Sequence, residues 1–167
     1  WAYATAKESH PKLFNKVADH IVSLDNLGRF KSQELSNTLW AFATADESHP
    51  MMFKMIADHI VGLDNLNDFI TQALSNIVWA YATSRESQPD LFKKLSDAAI
   101  QRQDKFNKPQ ELVNFVWAYA TNGQIDRNFF LSFVPTVEEN LIKCNAQNLA
   151  NIAWAYAVAN VNAPSVF

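Results

Sequence analysis

Trp1, Trp40, Trp79, Trp117 and Trp154 each open the same four-residue phrase, Trp-Ala-aromatic-Ala, at spacings of 39, 39, 38 and 37 residues. A unit copied at so regular a period is too small to close a core by itself, and it buries its apolar face by stacking on its neighbours. Recognition by such an array is expected on an extended surface and not in a single pocket.

The period also selects the secondary structure. Three glycines in 167 residues and the scarcity of alternating apolar and polar residues argue against a β-rich fold, whereas 49% hydrophobic content is ample for a continuous apolar seam. The expected fold is all-α, a right-handed α-solenoid of tandem helix-turn-helix repeats forming one domain over 1–167. The copies divide at about 1–9 (partial), 10–48, 49–87, 88–124, 125–162 and 163–167 (partial). Because the chain opens and closes inside a copy, it reads as an internal piece of a longer array. No apolar run reaches the roughly 18–20 residues of a membrane span. Cys144 is the single cysteine, and no cysteine-histidine spacing points to zinc.

One unit is best seen in the second copy. Ser48 or His49 caps a first helix that begins at Pro50, where the missing N–H has no intrahelical partner to lose. Asp64 to Asp68 is a turn-forming break. Thr71 is expected to cap a second helix running from Gln72 to Thr83. Aligning the copies on tryptophan shows a phenylalanine that never varies (Phe14, Phe53, Phe92, Phe130, Phe167) and a proline before it (Pro11, Pro50, Pro89, Pro164) that Arg127 replaces in one copy. Pro135 falls inside a first helix and is expected to kink it or end its first turns.

The second helices carry two repeated stripes. Leu35, Leu39, Phe42 and Ala43 form one; Gln33, Asn37, Ala41 and Thr44 form the other. The apolar stripe, the phenylalanines and the tryptophans are expected to make the core between repeats. Stacked copies of the polar stripe give a ladder of amides: Gln33, Gln72, Gln110 and Gln147, with Asn37, Asn76, Asn114 and Asn151.

The phrase from Pro109 through Gln110, Glu111, Leu112, Val113, Asn114, Phe115, Val116, Trp117, Ala118 and Tyr119 to Ala120 resembles the signature of octotricopeptide repeats, helical hairpins of about 38 residues in organelle gene-expression factors. Weaker copies stand at Ser32 to Ala45, Thr71 to Ser84 and Ala146 to Ala159, so the resemblance covers essentially the whole chain. It implies a role in RNA stability, processing or translation in a chloroplast or mitochondrion, through single-stranded RNA bound at roughly one repeat per base.

Amides that donate and accept, placed beside positions that differ between copies, are what a base code needs. The differing positions after the asparagines are Thr38, Ile77, Phe115 and Ile152. Lys16, Lys54, Lys93 and Lys94 fall at nearly equivalent places on the first helices, where they form either a track for phosphates or the solvated face of amphipathic helices. Charge weighs against a basic groove, since 14 Lys and Arg stand against 17 Asp and Glu, a net of -3. That balance favours a second reading: a protein-protein interaction scaffold whose surface holds a peptide or docks on a larger complex. No nucleophile, base and orienting group stand together and no Gly-rich phosphate loop is present, so no enzymatic activity, cofactor or metal is expected.

Overall fold

The computed structural model describes residues 10–124 and 126–161. Trp1, Pro164 and Phe167, and the partial copies at 1–9 and 163–167, lie outside the described residues. Within them there are eight α-helices and no strand: α1 (Pro11–Val22), α2 (Ser32–Thr44), α3 (Pro50–Gly62), α4 (Thr71–Thr83), α5 (Pro89–Ile100), α6 (Pro109–Thr121), α7 (Arg127–Asn140) and α8 (Ala146–Val158). Short 3-10 turns at Gln103–Lys105 and Leu141–Lys143 lead into α6 and α8. No helix among the described residues is long and apolar enough to cross a membrane.

Local chemistry sets where the helices start and stop. His10, His49 and Gln88 are N-caps with proline in the first turn after them. The His49 ring accepts from the Met52 N–H at 3.3 Å. Thr71 is the first residue of α4 and not its cap, a place taken by Ile70; the Thr71 hydroxyl instead donates to Glu111 Oε2 at 2.7 Å in the next copy. Each tryptophan helix stops in the same way. Asp46, Arg85, Gly123 and Asn160, all six residues after a tryptophan, have φ of 55, 57, 71 and 51°. The following N–H bonds back to the carbonyl of Phe42, Tyr81, Tyr119 or Tyr156, which closes a Schellman motif in every copy. Pro135 neither ends nor splits α7, which runs unbroken through it. The proline and Leu131, whose carbonyl loses its partner, are both exposed, so water can satisfy that carbonyl.

The helices form two layers. In the tryptophan layer α2, α4, α6 and α8 pack in succession, and in the backing layer α1, α3, α5 and α7 do the same less closely. The signature phrase explains this arrangement residue by residue. At about 100° per residue, four consecutive side chains point in four directions roughly a quarter-turn apart. Ala80 and Ala82 sit on the two flanks of α4, buried between its neighbours, and their small size allows the close approach. The aromatic between them, Tyr81, points back to the other layer and meets Phe53 edge to face at 5.2 Å. Phe42 on Phe14, Tyr119 on Phe92 and Tyr156 on Phe130 repeat the pair at 4.9, 5.1 and 5.4 Å. Where the aromatic is tyrosine, its hydroxyl donates to the backbone carbonyl of that phenylalanine: 2.7 Å for Tyr81 to Phe53, 3.0 Å for Tyr156 to Phe130, and likewise Tyr119 to Phe92.

Tryptophan takes the remaining direction, the front. The expectation that the indoles form the core is therefore corrected: Trp40, Trp79 and Trp117 are half-buried, with one side on the core, and Trp154 is 45% exposed. The core between repeats consists of the phenylalanines, the back-pointing aromatics, the leucines and the alanines.

Candidate functional site

The front of the tryptophan layer is built from four positions of each helix. Gln33, Asn37, Trp40 and Thr44 in α2 lie within about 60° of one another around the helix axis. The equivalents are Gln72, Asn76, Trp79 and Thr83 in α4, Gln110, Asn114, Trp117 and Thr121 in α6, and Gln147, Asn151, Trp154 and Val158 in α8. The glutamines are all exposed, Asn37 is exposed, and Asn76, Asn114 and Asn151 are half-buried. Ala41, expected on this stripe, is buried on the flank, and Trp40 stands in its place. No charged side chain belongs to the stripe.

Among the described residues, the carboxamides of Asn37, Asn76 and Asn151 have no hydrogen-bond partner in the protein. In α6 the Gln110 Nε2 donates to Asn114 Oδ1 at 2.6 Å, and Asn148 Nδ2 reaches Gln110 Oε1 at 3.4 Å. The glutamine there orients the asparagine and leaves the Asn114 amino group facing out. Between α2 and α4 the stripe opens into a groove of about 480 Å³ lined by Gln33, Asn37, Gln72 and Asn76, with Ser36 at its floor. A second groove, of about 510 Å³, lies beside Trp117, Thr121 and Asn122 at the other end of the helices.

The positions that differ between copies lie elsewhere. Ile77, Phe115 and Ile152 are buried in the core, and Thr38 is half-buried with its hydroxyl on the Glu34 carbonyl at 2.8 Å. Five residues after the glutamine is about 140° round the helix, away from the front, and Phe115 there packs on Phe106, Phe129 and Phe133, so the three buried side chains answer to packing. Of the positions before the leucines, Ala73, Glu111 and Asn148 are buried, while Glu34 is exposed and accepts from the Lys31 N–H at 2.9 Å. Glu111 joins two copies, accepting from Thr71 and from Lys108 Nζ at 3.0 Å, while its backbone carbonyl accepts from Ser75 Oγ at 2.8 Å. Sequence reasoning found the amides but missed the tryptophans as their neighbours.

The lysines lie on the backing layer and not beside the amides. Lys54 is ion-paired with Asp58 at 2.6 Å and Lys93 with Asp97 at 3.2 Å, each one turn along its own helix. Lys94 donates to the carbonyls of Val61 and Leu63, tying α5 to the end of α3. Lys16 is exposed on α1. Three of the four candidate phosphate contacts are thus engaged within the protein. Among the described residues, no three His, Cys, Asp or Glu side chains gather as a metal site.

No curated protein matches the chain. The family that does match, over residues 1–167, is described as RNA-editing substrate-binding complex 6 protein, RESC6. This corrects the octotricopeptide resemblance, because the match over the whole length is to a different family. RESC proteins belong to a mitochondrial editing machinery, which agrees with the mitochondrial half of the expected location and not with the chloroplast. Two packed layers of helical hairpins, one bearing a front stripe of amides and indoles, are thus the form taken here by a member of the RESC6 family, to which this chain belongs.

Proposed function

We propose that the chain is a non-catalytic scaffold within a mitochondrial RNA-editing substrate-binding complex, and that the front of its tryptophan layer holds other protein subunits. The hairpins are then successive turns of a right-handed α-solenoid with that front on the concave side, a curvature supported by the closer packing of the tryptophan helices. One observation carries the reading. The solvent-facing set Gln-Asn-Trp-Thr is the same in α2, α4 and α6 and changes only at Val158 in α8. A base-by-base reader needs exposed positions that differ from copy to copy; Ile77, Phe115 and Ile152 after the asparagines and Ala73, Glu111 and Asn148 before the leucines are buried, and of these two sets Thr38 and Glu34 in α2 alone reach the surface. Affinity for nucleic acid also needs several cations near phosphates; the Gln-Asn-Trp-Thr stripe has none, and Arg85 is the one cation lining the groove beside Trp117.

A second reading, contact of the same face with single-stranded RNA irrespective of sequence, is favoured by the indoles standing next to free amides, since both can engage unpaired bases. The two readings part in one experiment. Asn37, Asn76, Asn114 and Asn151 are replaced together by alanine in the full-length protein, and captured proteins are identified with and without ribonuclease. The scaffold reading expects partner proteins that survive ribonuclease and fall by roughly tenfold in the variant, with helicity by circular dichroism unchanged. Partners that ribonuclease removes from the unsubstituted protein would transfer the face to RNA.

A further inference from the structure

We propose that the front stripe grips an extended polypeptide segment of a partner subunit by its main chain, laid across the helices and held with little regard to side-chain identity. The inference rests on the scaffold reading and specifies the chemistry of its ligand.

Each rung presents a carboxamide, which offers an N–H donor and a carbonyl acceptor on one flat group. A peptide unit offers the same pair, whereas a phosphodiester only accepts and carries a charge. Unpaired bases also offer donors and acceptors, but in a pattern that changes from base to base, whereas the peptide unit recurs unchanged along its chain. Asn37, Asn76 and Asn151 have both functions unengaged among the described residues, and Asn114 has its acceptor filled by Gln110 and its donors outward. A ligand matched to identical rungs must itself repeat one identical group, and the main chain of a polypeptide does so whatever its sequence.

Spacing agrees. Helices that pack through alanine and serine approach at the short end of the roughly 8–10 Å range, and an extended chain repeats its orientation every two residues, about 6.6–6.8 Å. Such a grip requires a front that curves inward, where side-chain tips stand closer than the axes and one rung meets every second residue of the ligand. Alternate ligand side chains then point away from the rungs, and the others fall between the half-buried indoles. Those indoles provide flat apolar walls and fixed spacing. The groove between Gln33, Asn37, Gln72 and Asn76, with Asp68 and Ile70 at its edge, is assigned to one such register step.

The test uses the full-length protein and peptides of about 20 residues tiling the partner proteins that survive ribonuclease, with an oligouridylate of about 12 nucleotides as the competing probe. At least one peptide is expected to bind. Methylation of every second backbone nitrogen should weaken it by roughly tenfold, alanine replacement of its side chains by less than about threefold, and Asn76→Ala or Asn114→Ala in the protein by about fivefold or more. Partners captured through the asparagines with no tiled peptide binding, or with binding that follows side chains and ignores backbone methylation, would overturn main-chain recognition and leave the scaffold reading intact. Asparagine-dependent binding of the oligouridylate, with ribonuclease-sensitive partners, would overturn both.

Discussion

A single hydroxyl distinguishes Tyr81, Tyr119 and Tyr156 from Phe42 at the equivalent place, and each donates to a buried main-chain carbonyl of the backing helix. Removing it leaves that carbonyl without its second partner in a site water does not enter. Tyr81→Phe is therefore expected to lower stability by about 1–2 kcal/mol, measured by urea denaturation, with the ring contact to Phe53 retained. Burial also pushes the phenols of Tyr81 and Tyr119 well above their ordinary titration range, with Glu86 and Asp97 respectively adding to the shift. In the unfolded chain these groups lose their protons near pH 10. Below that pH their contribution to stability is complete. As pH climbs past it, the unfolded chain releases protons the folded one keeps, so stability should fall steadily on the alkaline side, and less steeply in Tyr81→Phe.

At the scale of the helix, the stops are as informative as the starts. Arg85 occupies the left-handed conformation that Gly123 adopts at the matching place, and a Cβ costs roughly 1–2 kcal/mol there. Arg85→Gly should raise the denaturation midpoint by the equivalent of about 0.5–1 kcal/mol, after the added flexibility of the unfolded chain is set against the gain. Gly123→Ala should lower it by about 1 kcal/mol; nothing lies within 4 Å of the added carbon, so the cost is backbone strain alone. Pro135→Ala should restore a bond in mid-α7 and add about 1–3 kcal/mol by the same assay. Much of this level was legible beforehand. The proline after His10, His49 and Gln88 placed helix starts, and the tryptophan period placed the hairpins. The face of the tryptophan was misread because its hydrophobicity assigns it to a core, although its angle, about 20° from Gln33 around α2, already put it in front. Likewise the variation at Thr38, Ile77, Phe115 and Ile152 suggested a code, whereas their angle turns them about 140° away from the glutamines and off the front. Chemistry alone misplaced both sets, and geometry contained in the spacing corrects them. The stop at Arg85 had no such signal, since arginine does not announce a left-handed turn, whereas aspartate at 46 is a residue type enriched there.

For the whole molecule, each helix packs mainly on its counterpart one copy away, which makes the fold quasi-one-dimensional and leaves one long face on each layer. The two faces differ in kind: the backing face carries lysines paired with aspartates, and the front carries uncharged amides and indoles. Binding at a neutral front should depend weakly on salt. The affinity for a partner peptide is expected to change less than about tenfold between 50 and 200 mM salt, against the roughly 10³–10⁵ lost by a protein that makes 6–10 phosphate contacts. The most direct measurement of the central claim is hydroxyl-radical footprinting of Trp40, Trp79, Trp117 and Trp154 in the isolated protein and in the ribonuclease-treated complex. A common binding face predicts that the four indoles are protected together on assembly, while Lys54 and Lys93 on the other layer are unchanged. Indoles as reactive in the complex as in the free protein would contradict it.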